Sequence, residues 1–131
     1  MSFCTVVNCM DGRVQLPVIR YLQERFEVLY VDSITEAGPV RSLAEPVDET
    51  VSQSILRRLA ISRSHGSKVV AVVAHDDCAG NPEDETTQRR QLEEAVDFIA
   101  GHFPETLVLG LWLSRDWSVF EVTNRTPDGG A

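Results

Sequence analysis

The chain has 131 residues, 43% of them hydrophobic and 24% charged, which is typical of one soluble domain with a single core. Its net charge of −8 and scattered basic residues argue against a nucleic-acid partner, because phosphate contacts need clustered Lys and Arg. No apolar run approaches the roughly 20 residues of a membrane span, and residues 1–13 lack the basic start of a secretory signal. We therefore expect a cytoplasmic protein with no membrane association.

The first half of the chain alternates between strand and helix patterns. Residues 3–9 form a short apolar run rich in β-branched side chains, which predicts a buried strand. Pro17 suits the first turn of a helix that continues to about Glu24. A second strand is expected over residues 27–33. The following segment, 34–46, contains one glycine and two prolines, so it is expected to be mostly loop.

The middle of the chain repeats this alternation. Asp48 is a suitable N-cap for a helix that runs to about Ser64. Residues 68–75, KVVAVVAH, form a continuous β-branched run, as expected of a strand that is covered on both faces. A further helix is predicted from about Glu83 to His102.

Two more strands are predicted over residues 108–113 and 117–122. Strands that alternate with helices indicate an α/β fold, a mostly parallel sheet of four to five strands with helices on both faces. We expect one such domain over residues 1–125, followed by a disordered tail over residues 126–131. The apolar end strands and two tryptophans also favour at least a homodimer, in which the tryptophans pack in the core or against a partner subunit.

Three potential metal ligands follow the ends of two predicted strands. Cys9 ends the first strand, and His75 and Cys78 lie where the third one ends. In open α/β sheets, ligands bind at this edge where the strand order switches. Zinc favours thiolate and imidazole ligands, and three protein ligands leave the open position of a catalytic site. The sequence therefore predicts a zinc site at Cys9, His75 and Cys78, whereas Cys4 is expected to point to the opposite face of its strand.

Asp11 and Arg13 lie immediately beside the first of these ligands. A carboxylate so close to zinc would compete for the open position unless it were held elsewhere. We expect Arg13 to hold Asp11 in a bidentate pair, so that Asp11 accepts a hydrogen bond from zinc-bound hydroxide. The alternative is a surface ion pair of little energetic weight. Asp77 is a further candidate for a hydrogen bond around the metal ligands.

These residues carry a resemblance to the β-class carbonic anhydrases. The sequence CMDGRV, residues 9–14, resembles the Cys-x-Asp-Ser-Arg-Val motif of that family, and AHDDCAG, residues 74–80, resembles its His-x-x-Cys-Gly motif. DSITEAGP, residues 32–39, is similar to the segment containing Arg-Asn-Ala-Gly-Asn. The resemblance extends over most of residues 3–123. It implies a β-carbonic-anhydrase-like fold, a homodimer or higher oligomer, and reversible hydration of carbon dioxide, with the zinc ligands and the Asp-Arg pair at the residues named above.

The sequence also departs from the family pattern. Gly12 replaces the usual Ser, Ala79 separates Cys78 from the following Gly, and Asp32-Ser33 stand in place of Arg-Asn. Only eight residues precede the first motif cysteine, so we expect neither the N-terminal helical arm nor the pocket Gln of the family. The resemblance therefore implies an intact metal site beside an altered substrate pocket.

Four functions are compatible with these patterns. The first is a zinc lyase, a carbonate dehydratase whose small-molecule substrate is carbon dioxide. The second is a zinc hydrolase that acts on another small heterocumulene, carbonyl sulfide or carbon disulfide. The third is a non-catalytic zinc-binding or ligand-binding module. The fourth is a thiol redox protein that uses Cys9 and Cys78, with no bound metal.

Overall fold

The computed structural model describes residues 1–45 and 49–127, which form a five-stranded sheet covered by helices. The elements run in chain order as β1 (Phe3–Cys9), α1 (Gly12–Phe26), β2 (Tyr30–Glu36), α2 (Pro39–Ala44), α3 (Glu49–Arg63), β3 (Val69–His75), α4 (Glu85–His102), β4 (Leu107–Leu113) and β5 (Val119–Arg125). Among the described helices, none combines the length and apolarity needed to cross a bilayer. The predicted α/β class is confirmed.

The strand order is β2-β1-β3-β4-β5, and only the last pair, β4 with β5, is antiparallel. From β1 the chain first moves outward to β2 and then crosses back to place β3 on the other side of β1. The strand order therefore reverses between β1 and β3, and a crevice opens where these two strands end. Cys9 and His75 are the last residues of β1 and β3, so the topology brings them to one crevice.

Two apolar layers cover the sheet, one on each face. On one face, α2, α3 and α4 pack their buried side chains against alternate residues of the strands, including Val7 and Val72. On the other face, α1 contributes Val14, Val18 and Leu22 to the second layer. The central strand β3 is buried along its whole length, as its uninterrupted apolar sequence predicted.

Most predicted elements are present, with shifted boundaries. The first helix begins at Gly12 rather than Pro17, because the Asp11 side chain accepts a hydrogen bond from the backbone N–H of Arg13 at 2.9 Å and caps the helix there. Pro17 consequently lies inside α1. The second strand is displaced by three residues and reaches Glu36.

The prediction of loop over residues 34–46 was wrong for much of that segment. Residues 34–36 complete β2, and α2 follows with Pro39 in its first turn. Proline is favoured at this position because the first N–H of a helix has no intrahelical acceptor. The expected Asp48 N-cap and residues 128–131 of the expected tail lie outside the described residues.

The prediction that residues 108–113 form an end strand was wrong, whereas the other predicted end strand, β5, does expose an apolar side chain, Phe120. Strand β4 lies between β3 and β5, and its Trp112 is buried in the core. Trp117 precedes β5, which begins two residues later than predicted, and is only partly buried. The two edges of the sheet are therefore β2 and β5.

Candidate metal centre

The three predicted metal ligands converge at the crevice between β1 and β3. Cys9 and His75 end these strands, and Cys78 lies three residues farther along the loop toward α4. Their ligand atoms all lie within 4.8 Å of one another, and the two sulfurs are 3.9 Å apart. All three side chains are buried. The structure therefore brings the three residues named from the sequence together.

The hydrogen bond of His75 determines which ring nitrogen can bind a cation. Its Nδ1 lies 2.8 Å from the backbone carbonyl of Asp76. A carbonyl oxygen only accepts, so Nδ1 carries the proton and Nε2 carries the lone pair. Nε2 is buried with no hydrogen-bond partner in the described structure. An unsatisfied buried acceptor is unfavourable, and a metal ion would satisfy it.

The spacing of the sulfurs also fits a tetrahedral ion. Zinc–sulfur bonds of about 2.3 Å at the tetrahedral angle place two sulfurs roughly 3.8 Å apart, close to the observed 3.9 Å. Burial, together with the proximity of Cys9, raises the pKa of the Cys78 thiol to about 11. A divalent cation would reverse this effect, because it stabilises the thiolate. Two thiolates and one imidazole are a donor set that zinc prefers.

The expectation that Cys4 faces away from Cys9 was wrong, since Cys4, Cys9 and Cys78 all belong to the apolar layer beneath α1. Cys4 nevertheless lies outside the group of three potential ligands. It is fully buried in the apolar layer beneath α1, and burial raises the pKa of its thiol to about 11. A desolvated thiol with no nearby cation behaves as a small hydrophobic side chain. The expected structural role of Cys4 therefore agrees with its environment.

Asp11 and Arg13 form the bidentate pair that the sequence predicted. Arg13 Nε donates to Asp11 Oδ1 at 3.0 Å, and Nη2 donates to Oδ2 at 2.6 Å. The hydrogen bonds from the Arg13 side chain and backbone hold the pKa of Asp11 at about 2, and the same pairing raises the pKa of Arg13. Asp11 therefore remains ionised throughout the neutral and alkaline range.

Arg13 is also held from the other side of the crevice. Its Nη2 donates to the backbone carbonyl of Asp77 at 3.1 Å, and Nη1 donates to the Asp77 carboxylate at 3.3 Å. Its guanidinium lies over the Trp117 ring, 4.8 Å from the centroid. Asp77, a predicted partner around the ligands, thus links the Asp-Arg pair to the loop that carries Cys78. An open cavity of about 370 Å³ adjoins these residues, and its lining includes Arg115.

Sequence reasoning missed two residues that hold the ligand loop. Gln15 donates from Nε2 to the carbonyls of Cys9 at 2.8 Å and Asp11 at 3.1 Å, and Asn8 donates to its side-chain oxygen at 3.3 Å. The available signal was a glutamine one helical turn after the capping Asp11. Such residues are frequent on exposed helix faces, so the spacing alone carried little information.

Gly80 lies two residues after Cys78, in the loop between β3 and α4, and allows this loop to pack closely. A Cβ atom at this position would lie 2.6 Å from the backbone carbon of Ala37, in the segment between β2 and α2. Only glycine permits such an approach of two backbones. The loop after Cys78 therefore rests directly against the neighbouring connection.

Residues 1–123 match a protein family described as "Putative carbonic anhydrase". The chain belongs to this carbonic anhydrase family. The crystal structures of two tetrameric β-carbonic anhydrases from the filamentous ascomycete Sordaria macrospora provide a structural match with a TM-score of 0.56. The sequence identity is 10%, over 93% of this chain and 82% of the other. This likeness shows a shared fold, and no curated protein sequence matches the chain.

Membership of the carbonic anhydrase family confirms the resemblance that the two motifs carried. Cys9 and His75 end the first and third strands and Cys78 follows in the loop after β3, at the sequence positions that the motifs indicated. Gly12 stands where the family motif has Ser and begins α1, and the packing does not require glycine there, because a Cβ atom would meet nothing within 4 Å.

Proposed function

We propose that this member of the carbonic anhydrase family is a zinc-dependent lyase that hydrates carbon dioxide reversibly. The observation that carries the proposal is the juxtaposition of two features at one sheet edge. A buried Cys-His-Cys group has ligand atoms within 4.8 Å of one another, and an ionised Asp-Arg pair begins two residues after Cys9. Family membership over residues 1–123 supports the reaction class.

Cys9 and Cys78 would hold the ion through their sulfurs, and His75 through Nε2. A zinc ion with three protein ligands and one open position supplies a Lewis acid that acidifies water. The carbonyl of Asp76 keeps His75 in the required tautomer. Gln15 fixes the carbonyls of Cys9 and Asp11, so the ligand and the carboxylate keep a constant separation.

Asp11 would orient the nucleophile. As a carboxylate it would accept a hydrogen bond from the attacking hydroxide and so direct an oxygen lone pair at carbon dioxide. Arg13 occupies the Asp11 oxygens with N–H donors and keeps them from turning toward the open metal position. Attack of the hydroxide oxygen on the carbon of carbon dioxide would give bicarbonate, which would leave the site as water replaces it.

Carbon dioxide hydration by zinc-loaded protein should rise toward alkaline pH. Two thiolates formally cancel the double charge of zinc, so water is acidified less than at a site with three imidazoles, and the apparent midpoint should lie above about 7.5. Asp11, with a pKa of about 2, contributes no change in this range because it stays ionised. Stopped-flow hydration rates across pH 6–9.5 measure the midpoint, and full activity at the acidic end would contradict the prediction.

The same sample discriminates the alternative functions. Hydrolysis of carbonyl sulfide or carbon disulfide without carbon dioxide hydration would indicate the heterocumulene hydrolase. Stoichiometric zinc without turnover of any of the three substrates would indicate a non-catalytic module. A protein that binds no zinc and forms a Cys9–Cys78 disulfide under mild oxidation would support thiol redox chemistry instead.

We also propose that the chain forms homo-oligomers, since the structurally similar β-carbonic anhydrases are tetrameric. Both sheet edges expose apolar side chains, including Phe120 on β5, but β5 carries a bulge, which discourages edge pairing, whereas β2 pairs with β1 in an unbroken register. The β2 edge is flanked by the exposed apolar side chains of Leu29 and Tyr30. The β2 edge is therefore the surface that we assign to self-association.

Light scattering at micromolar concentration should accordingly give at least a dimer. Ser33→Lys places a charge on the exposed part of β2 and should shift the protein toward monomer, because an unpaired charge at a strand edge opposes pairing. Asn124→Lys on β5 is the matched control and should leave the mass unchanged. A monomeric wild-type protein, or equal effects of the two substitutions, would refute this assignment.

A further inference from the structure

Two residues with unusual backbone conformations meet at Arg13. Among the described non-glycine residues, positive φ angles occur at Glu27, Asp77 and Trp117. Glu27 ends α1, where a left-handed residue is common. The other two, with φ of 57° and 65°, both contact the Arg13 guanidinium. Strained residues of this kind persist where the surrounding structure requires their placement.

The conformation of Trp117 is the less expected of the two, because bulky side chains rarely adopt it. Trp117 lies in the tight turn between β4 and β5, where its N–H donates to the carbonyl of Ser114 at 2.9 Å. A turn of this kind favours Gly at its left-handed position. Local structure alone therefore does not account for a tryptophan here.

The contacts of the ring supply a reason. Trp117 is half-buried against the apolar layer of α1, and its face lies 4.8 Å from the Arg13 guanidinium carbon. A guanidinium over an indole face is held electrostatically while its N–H groups stay free to donate in their own plane. Those N–H groups bind Asp11 on one side and the Asp77 carbonyl on the other. The ring thus covers the face of Arg13, and the hydrogen bonds hold its edge.

We propose that Trp117 is a positioning residue, which holds Arg13 and, through it, the Asp11 carboxylate in the orientation that the reaction uses. Its importance for turnover rests on the proposed function, whereas its effect on the geometry of Arg13 does not. The sequence alone predicts core packing or a subunit contact for this tryptophan. The structure adds a direct contact with the Asp-Arg pair.

A matched pair of variants tests the role of the ring face. Trp117→Phe and Trp117→Leu both place an apolar side chain on the same left-handed backbone, but only the first keeps a π face. We expect the Leu variant of the zinc-loaded protein to lose about 10- to 100-fold in carbon dioxide turnover, and the Phe variant to lose much less. Both substitutions should change the midpoint temperature of thermal unfolding by a similar amount, because the backbone strain at residue 117 is common to the two variants.

A second readout is independent of turnover. In ¹⁵N-labelled protein, the Nε–H signal of Arg13, identified by its loss in Arg13→Lys, should exchange slowly with water because it donates to Asp11. We expect slow exchange in wild type and Trp117→Phe, and fast exchange in Trp117→Leu. If the Leu variant does not fold, Trp117→Gly, which suits the backbone, takes its place.

The outcomes are separable. Slow exchange and near-normal turnover in the Leu variant would overturn the positioning role, as would equal losses in the Phe and Leu variants. If wild type fails to hydrate carbon dioxide but the Nε–H signal still distinguishes Phe from Leu, the proposed function fails and the positioning of Arg13 stands.

Discussion

Cys78→Ser should purify with little zinc, whereas the wild-type chain should carry close to one zinc per chain. A neutral hydroxyl replaces one of two thiolates, and the remaining Cys9 and His75 cannot complete three-point binding. Changes to groups that merely support a ligand already weaken metal binding by roughly 10–100-fold, so the loss of a ligand should exceed that range. Metal analysis of the purified proteins, with circular dichroism to verify folding, measures the effect.

Cys4→Ala is the matched control, since it removes a buried cysteine that is not one of the three proposed ligands. It should cost stability through a small cavity but retain stoichiometric zinc. Stoichiometric zinc in a Cys9→Ala, Cys78→Ala double variant would show that the ion binds elsewhere and would remove the basis of the proposed mechanism.

Arg13→Ala should keep its zinc and lose turnover. Without the guanidinium, both Asp11 oxygens lose their side-chain donors, and the carboxylate is free to enter the open metal position. We expect kcat to fall by at least about 100-fold, because the orienting group is lost and the position for the nucleophile is blocked. Hydration assays paired with metal analysis separate this result from metal loss.

Arg115→Ala provides the control for a general change in charge. Arg115 lines the same cavity, but its side chain is largely exposed and approaches the Asp76 carboxylate only to 3.6 Å. Its removal should leave kcat nearly unchanged. Near-normal turnover in Arg13→Ala, or a comparable loss in Arg115→Ala, would be incompatible with the role assigned to the Asp-Arg pair.

The sequence indicated that Cys9, His75 and Cys78 would lie close together because two of them end clearly patterned strands. Cys9 ends a β-branched strand, and His75 ends the most continuous apolar run in the chain, so their meeting followed from sheet topology alone. The bidentate Asp11–Arg13 pair followed from the need to restrain a carboxylate near the predicted metal site. Both inferences depend on the apolar pattern of the strands and on the types and spacing of the residues that follow them, which can be read from the sequence.

Other contacts could not be predicted because they arise from tertiary packing. The approach of Trp117 to Arg13 joins a turn between β4 and β5 to the first turn of α1, and no local pattern connects them. Gln15 has the sequence context of an ordinary exposed helix residue, and its hydrogen bonds to the carbonyls of Cys9 and Asp11 depend on how the segment before α1 folds. The sequence does not reveal the helix at Pro39–Ala44, because glycine and proline usually mark turns and loops. Proline is nevertheless compatible with the first turn of a helix, where Pro39 lies.

Asp11 has two uses in this molecule, one structural and one proposed. The carboxylate that begins α1 by accepting the Arg13 N–H is also the group proposed to orient the nucleophile. Asn and Ser cap helices about as well as Asp, and even Ala costs only about 1 kcal/mol, so the capping role tolerates several residues at this position. The proposed chemistry needs the carboxylate itself. Natural variation at residue 11 can therefore abolish activity while the fold persists, so a relative with Asn or Ser here would keep the scaffold without this reaction.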